Sequence, residues 1–507
     1  MNKSEGMLQV RVGAFISYAL IIANALFGLF VSPFILRCIG ESSYGVYRTI
    51  ASLSSAVMVL DFGLGGTMMR YIAKFKANKE ENKIQPFVSM SLCEASILAL
   101  LVAIVAALIF INIPHLYANS FTVAEIALSE RLFIILAFTM ILQVIENVFN
   151  GIITGHNNFA LGNGVKLIRL LARIVLYVIL LPKIGSAITL VTVDLILTML
   201  IVVCESIYVR FGYRIKFTLN FKKWDKVLFR ESFLYALALF LTSIAAQVNN
   251  NLDNVIIGAI KGAEYVTVYS FGLLIFGMFE QLSTSISGVM LPTVTNVLVH
   301  DKTGNAIKQL VIKVGRVQFM LMGAAAVGFI ILGKDFISLW LGDGFSAVYV
   351  ITLILIFPAM LELCVNVCLS ILRAENCLGF RTTILFASTV LNLIVTYVAV
   401  KYWNYIGAAF GTAASFIIGS VVIMNIYYKK KLGLPMLRIY GQIFNRIWVC
   451  LLLAGGALWA FSRFFYGTLW SFVIGVAVFA VVYGGSLLFY GFNKEEKQFL
   501  KIGGRRK

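Results

Sequence analysis

Charged side chains are scarce in this 507-residue chain: 13% of residues, against 60% that are hydrophobic. A soluble protein of this length must cover its surface with polar groups, so the shortage excludes an ordinary water-soluble fold. Histidine is scarcer still. His115, His156 and His300 are the full set, and all fall in or near expected loops, where a solvated role is the ordinary one. The seven cysteines, at 38, 93, 204, 364, 368, 377 and 450, are scattered, mostly inside apolar runs. Cys364 and Cys368 are one helical turn apart, but no histidine or second cysteine pair accompanies them, so ordinary packing is expected and no metal. There is no GxSxG, no HExxH and no phosphate-binding glycine loop, which argues against the corresponding hydrolases and NTPases. No loop carries the acidic pair that metal-dependent glycosyl transfer often uses. Nor is any connection long enough to fold outside a membrane. The expectation is a transporter rather than an enzyme, without a cofactor, whose chemistry lies within or between helices.

What the chain has in abundance is apolar runs of about 20 residues, each long enough to cross a bilayer as a helix. They predict an all-α integral membrane protein with fourteen spans, from 13–36 to 468–491, including 44–68, 162–182, 231–258 and 347–372. The first run lacks a cleavage site leading into a soluble domain, so it is expected to be a retained helix rather than a signal peptide. The net charge of +19 could be taken as a nucleic-acid signal, but the basic residues sit in alternate connections. With a cytoplasmic N-terminus, the outer connections and helix ends hold Arg37, Arg48, Arg131, Lys183, Lys261, Lys334, Lys401 and Arg463, eight of 42 basic residues. That asymmetry is the signature of membrane orientation, places both termini in the cytoplasm, and makes the lipid bilayer, not nucleic acid, the expected partner.

A weak internal repeat recurs at offsets of 219 to 222 residues. Tyr44-Gly-Val-Tyr47 is echoed by Tyr265-Val-Thr-Val-Tyr269, Asn157 by Asn376, and Ile184-Gly185 by Ile406-Gly407. Six helices per copy is an even number, so both copies enter the membrane in the same sense. The expected division is an N-lobe at 1–210, a basic connection at 211–230, a C-lobe at 231–431, two extra helices at 432–492 and a cytoplasmic tail at 493–507. Two six-helix lobes in a parallel pseudo-twofold repeat would place a substrate path between them.

Polar residues inside the spans are candidates for that path, because lipid is a poor neighbour for them. In the fourth span Gln143, Glu146, Asn147 and Asn150 share one helical face about 100° wide. The repeat offset pairs Gln143 with Glu362 and Asn147 with Asn366. Either set could line a pathway or serve as hydrogen-bond glue between helices. In the seventh span Gln247, Asn250, Asn251 and Asn254 share a face beside Asn249 and Asp253. Amides suit hydroxyl-rich ligands; a loosened helix end is the plainer reading. Lys166, Arg169, Arg173 and Tyr177 form a stripe on the fifth span that could meet a phosphate or snorkel to the inner interface. Glu94, Asp194 and Glu205 could each neutralise a basic residue, relay a proton or bind a cation.

The stretch Tyr44–Phe75 carries the densest unusual content: Arg48, Asp61, a glycine cluster at Gly63, Gly65 and Gly66, then Arg70 and Lys74. Read as one continuous span, it puts Arg48 on a cavity face with Ser52 and Ser55. Asp61 is expected near the inner end, paired with a basic residue at an inner gate.

The YGVY start, the run DFGLGG–RYIA at Asp61–Ala73 and the loop GKDFISLWLGDGF at Gly333–Phe345 resemble the polysaccharide-transporter branch of the multidrug/oligosaccharidyl-lipid/polysaccharide exporter superfamily. That branch holds flippases of the O-antigen, capsule and teichuronic-acid type. The resemblance implies movement of an undecaprenyl-diphosphate-linked oligosaccharide across the bacterial cytoplasmic membrane by alternating access. It implies a polyprenyl-diphosphate glycan as partner, with a proton or sodium ion and polysaccharide polymerase or assembly proteins as further candidates. On that reading the diphosphate docks on Arg48, Arg169 and Arg173. The glycan packs on Gln143, Glu146, Asn147, Asn150, Gln247, Asn250, Asn251, Glu362 and Asn366, while Asp61, Arg70, Asp253 and Glu280 gate or couple. The rivals are a drug or cation antiporter of the same superfamily, against which the thirteenth and fourteenth helices count, and a membrane glycan polymerase, which usually has a large outer loop.

Overall fold

The computed structural model describes residues 3–217, 226–288, 290–300, 304–375, 377, 379–464, 468–493 and 496–497. Among them every regular element is a helix. Twelve helices are long and apolar enough to cross a membrane: α1 Phe15–Ile39, α2 Glu41–Ala77, α3 Glu81–Tyr117, α4 Val123–Gly155, α6 Ala187–Gly212, α8 Ala263–Ser287, α9 Asn305–Leu341, α10 Asp343–Leu363, α11 Gly379–Tyr402, α12 Gly407–Leu432, α13 Ile447–Phe464 and α14 Leu469–Gly491. Two more complete the predicted fourteen. The helix α5 Phe159–Ile184 is 26 residues long but carries Lys166, Arg169, Arg173 and Lys183. The helix α7 Lys226–Ile260 is 35 residues long and carries the amide run.

The short connections are held by local chemistry. Thr122 and Glu125 form a capping box at the start of α4: the Thr122 N–H donates to Glu125 Oε2 at 2.7 Å and the Glu125 N–H to Thr122 Oγ1 at 3.3 Å. Asn158 accepts the Leu161 N–H at 3.2 Å to open α5. Gly185, with φ of 61°, closes it in the left-handed conformation that glycine adopts without strain.

Packing divides the chain into two compact units, Met1–Thr267 and Val268–Lys507. The border lies inside α8, so α7 packs with the first unit, along α2. At the Gly45 end of that seam, a Cβ on Gly45 would lie 1.8 Å from the Ala263 carbonyl oxygen, and one on Gly258 would lie 2.8 Å from Thr49 Cγ2. Only glycine permits backbones to approach so closely. Toward the Lys74 end the seam is made by larger groups. The Arg70 guanidinium lies 4.0 Å from the centroid of Tyr235, and Lys74 lies 3.9 Å from Glu231 in an exposed ion pair.

Two predicted spans are interrupted. The first is α2. Its first segment Glu41–Val57 passes into a 3-10 turn at Met58–Asp61, then Phe62 and Gly63 take left-handed conformations at φ 51° and 63°, and Leu64–Ala77 resumes. The left-handed region costs a residue with a Cβ about 1–2 kcal/mol. At Phe62 a parallel ring stack on Phe240 of α7, 4.0 Å between centroids and 3° between planes, offsets that cost. The span predicted at 347–372 likewise stops at Leu363. Cys364–Asn366 form a turn, with the Val365 N–H reaching the Glu362 carbonyl at 3.1 Å, and a short helix Val367–Ala374 follows. The turn tightens where α9 presses against it: a Cβ on Gly315 would lie 2.6 Å from the Cys364 carbonyl oxygen.

In the second unit Arg316 of α9, 2% exposed, binds the two extra helices into the bundle. Its guanidinium donates to the carbonyls of Gln442, Asn445 and Gly491 at 2.9–3.1 Å and to the Glu496 carboxylate at 2.7 and 3.2 Å.

Candidate functional site

Within the first unit α4 is the polar hub. Its four-residue face does not meet a single neighbour; its side chains go to different helices. Glu146 accepts two hydrogen bonds at 3.1 Å from one terminal nitrogen of Arg169 on α5. The other terminal nitrogen of Arg169 donates to the Thr198 hydroxyl of α6. Asn147 donates to Asp61 Oδ2 at 2.8 Å, and Asn150 donates to Glu205 Oε1 at 3.2 Å. Gln143 is half-buried. One turn further along α5, Arg173 pairs with Asp194 of α6 at 2.6 Å.

Asp61 stands at the break of α2, where the interrupted helix leaves backbone donors without intrahelical partners. Its Oδ1 accepts the Gly63 N–H at 2.8 Å while Oδ2 takes the Asn147 amide. The sequence expectation of a basic partner is therefore corrected: no cation is paired with Asp61 among the described residues. The carboxylate caps the freed turn with one oxygen and holds α4 with the other, and the neighbouring glycines let α4 close on that turn. A Cβ on Gly151 would lie 2.6 Å from the Gly65 carbonyl oxygen.

Arg48 differs from the other two arginines. Among the described residues it has no ion pair; its Nε, like that of Arg169, is buried without a hydrogen-bond partner. It is half-buried on the first segment of α2, one turn from Tyr44. Its predicted companion on that face, Ser52, is buried and accepts the Asn254 amide of α7 at 3.0 Å. Two buried carboxylate oxygens of this unit, Glu94 Oε1 and Glu205 Oε2, also lack a partner among the described residues.

On α7, Gln247 Oε1 accepts the Asn251 amide at 2.7 Å, so these two bond to each other. Asp253 is 2% exposed, and the Asn250 side chain lies outside the described residues. Arg70 is exposed on the second segment of α2, over Tyr235. His156 is not a solvated loop residue. Its ring stacks on Tyr213 at 4.0 Å, its Nδ1–H donates to the Ile152 carbonyl, and burial pushes its pKa down.

The second unit holds a cavity of about 180 Å³, lined by Glu280 and Thr284 of α8, Glu362, Asn366 after the α10 turn, and Arg381 of α11, with Phe276 and Phe416 among its apolar walls. Glu362 and Arg381 are 3.9 Å apart, too far for a hydrogen bond. Asn366 donates to Ser287 Oγ at 3.2 Å. The sequence identified Glu280, Glu362 and Asn366 but not Arg381. Arg381 plays a part like that of Arg169, though not at the repeat-related position: in each unit an arginine on the helix after the polar one faces a glutamate of that helix.

The model of the polysaccharide biosynthesis protein family matches residues 10–298. A probable flippase, AglR of Haloferax volcanii, is 26% identical over 198 residues, which is 38% of this chain and 41% of that relative. The aligned stretch thus spans less than half of AglR. Among solved structures, the lipid II flippase MurJ in an inward closed conformation superposes with a TM-score of 0.73 at 15% identity, covering 96% of this chain and all of that one. An inward-facing multidrug transporter of the MATE family, in the MOP superfamily, gives 0.63 at 16% identity, covering 84% and 96%. Fourteen helices, polar residues held inside them and a fold shared with these two transporters agree with the family match. The chain is a member of the polysaccharide biosynthesis protein family.

Proposed function

We propose that this protein is a flippase that carries a polyprenyl-diphosphate-linked oligosaccharide from the inner to the outer leaflet of the cytoplasmic membrane for surface polysaccharide synthesis. The observation that supports it most is Arg48, a guanidinium inside a spanning helix with no carboxylate partner among the described residues, in a chain of this family. Burying a cation unpaired is expensive in a bilayer, so such a group is retained for an anionic ligand. A diphosphate offers the bidentate acceptors that arginine fits. Arg169 and Arg173, already paired with Glu146 and Asp194, would add field rather than a free fork. A cation exporter has no evident use for such a residue.

In this reading movement is alternating access between the lobes 1–210 and 231–431, with 432–492 appended. The interruption of α2 at Asp61 supplies a place where inner and outer segments can reorient, as discontinuous helices do in transporters. Moving a polar headgroup uphill requires coupling to a proton or sodium gradient or removal of the product. Asp61, Asp253 and Glu280 are the acidic candidates for coupling, and Arg70 the basic gate residue.

The test is complementation of a strain that lacks its own flippase and makes the matching lipid-linked glycan. Arg48→Ala at normal abundance should lower surface glycan roughly tenfold to a hundredfold, the scale of one hydrogen bond to a charged group. Full restoration of surface glycan by that variant would remove the phosphate role. Cellular accumulation of cationic drugs should be unchanged by the wild-type protein; a clear drop would favour the antiporter reading.

A further inference from the structure

The geometry points to the cavity of the second unit as a sugar-reading subsite that accepts a neutral or ammonium-bearing pyranose ring and rejects a uronic acid. The choice of a sugar as ligand rests on the proposed function; the charge preference rests on the cavity alone.

Hydrogen-bond acceptors dominate its polar lining. Glu280 is exposed to the cavity side of α8, and its carboxylate has no partner among the described residues. Glu362 stands 3.9 Å from Arg381, beyond hydrogen-bond reach, which leaves acceptor capacity on its carboxylate. Asn366 gives one amide hydrogen to Ser287, which leaves Oδ1 able to accept and its other N–H able to donate. Thr284 donates its hydroxyl hydrogen to the Glu280 carbonyl at 3.2 Å, which leaves the lone pairs of Oγ1. Arg381 is the one strong donor in the lining.

A ligand that complements such a wall must donate. An acyl or isoprenoid chain has no donors and would strip water from Glu280 and Glu362 without replacing it. A carboxylate or phosphate would meet two carboxylates against one guanidinium, and like charges brought together discriminate against the wrong partner. Pyranose hydroxyls and an ammonium group both donate. The remaining wall suits a ring as well: Phe276 and Phe416 stand 6.0 Å apart at 58°, apolar surface beside convergent polar groups. The volume, about 180 Å³, is of the size of a single sugar ring rather than an oligosaccharide.

The experiment uses the full-length protein in lipid nanodiscs and saturation-transfer NMR with three probes: methyl glucoside, methyl glucosaminide and methyl glucuronide. The expected order is glucosaminide tightest, glucoside next, and glucuronide at least about tenfold weaker, the scale of one hydrogen bond to a charged group replaced by repulsion. Glu280→Gln should bring the three probes close together, with the glucosaminide weakened most. Thr284→Val, which removes a hydroxyl without touching charge, should weaken all three while keeping their order. A glucuronide that binds as tightly as the glucoside overturns the proposal. So does an order that survives Glu280→Gln in protein of unchanged melting temperature, or the absence of glycoside binding. If the Gln variant does not fold, the Thr284→Val result decides: equal binding with and without the hydroxyl places the sugar elsewhere and sinks the proposal. Surface-glycan export is scored separately. Abolished export with the binding order intact would fell the flippase reading and leave the subsite. Normal export without that order would do the reverse.

Discussion

The two units treat the same kind of residue in opposite ways. In the first, the polar face of α4 is divided among three helices, and three of its groups find directional partners: Glu146 on Arg169, Asn147 on Asp61, Asn150 on Glu205. In the second, Glu362 and Arg381 stand 3.9 Å apart around open space, and the Glu280 carboxylate faces it without a partner among the described residues. Spacing on a helical wheel is identical for glue and for a binding wall. What separates them is whether the hydrogen bonds are closed. In the first unit α4 is read as glue that positions α2, α5 and α6. Groups left open, among them Arg48 and the Glu94 and Glu205 oxygens there and the Glu280 cavity in the second unit, keep capacity for a ligand.

The contrast breaks most severely at the groups that close bonds in full. Arg316 is the extreme case, with five hydrogen bonds at 2% exposure. Arg316→Ala takes the cation from Glu496, which keeps only the Asn493 N–H, and the guanidinium donors from three carbonyls, and should destabilise the second unit by about 3–5 kcal/mol, the range for breaking a buried pair. Thermal denaturation in detergent, with protease sensitivity of the segment from Met436 onward, reads the effect. A melting temperature equal to wild type would mean that α13 and α14 are held by apolar packing alone.

Next in size is the joint at the break of α2. Asp61→Ala and Asn147→Ala remove the two ends of one 2.8 Å bond, so their effects should not add. A double-mutant cycle should return a coupling of about 0.5–3 kcal/mol. Additive effects would mean that the two residues act separately, and α4 would regain its claim as a pathway wall. A related steric test is Gly151→Val, where the new Cβ meets the Gly65 carbonyl at 2.6 Å. It should cost about 1–3 kcal/mol by overpacking, whereas Gly164→Val, in open space on α5, should be nearly silent in packing terms.

Much of this was legible in the residues. Fourteen spans follow from apolar length and from the alternation of lysine and arginine, both of which report on lipid and water directly. The family resemblance rested on DFGLGG and RYIA, and the family match agrees. The interruption of α2 was less visible, because apolar residues on both sides of Gly63 continue the helical period. Its signal was nonetheless present: an Asp two residues before a Gly is an Asx-type turn with a left-handed partner. Arg316 lies eight residues into the predicted span 308–333, about 12 Å by helical rise, too deep for a residue counted only toward the cytoplasmic side. Arg381, second residue of the predicted span 380–401, looked like an interfacial anchor. Its role comes from what α10 places opposite it. A wheel gives the face of a helix and never its neighbour, and for that reason Asp61 was assigned a cation where the fold supplies an amide.

The smallest effect is the most direct comparison of the two units. Single cysteines at Asn147 and at Thr284 should differ in rate toward a membrane-impermeant, polar thiol reagent, measured in purified protein with Cys204 and Cys377 replaced by serine. Thr284→Cys opens onto the cavity and should react within about tenfold of a free thiol, since access and thiolate fraction set the rate. Asn147→Cys, behind Asp61 and the α2 turn, should react far more slowly. It should speed up when Asp61→Ala removes the neighbouring carboxylate, which both opens the site and lifts the negative charge that disfavours a thiolate. Equal rates at the two positions would mean that α4 also borders water. The division between a closed and an open unit would then be a property of one conformation rather than of the chain's design. A rate at Asn147 that rises only when substrate glycolipid is present would carry the same lesson further, because it would make the Asp61–Asn147 bond part of the moving joint.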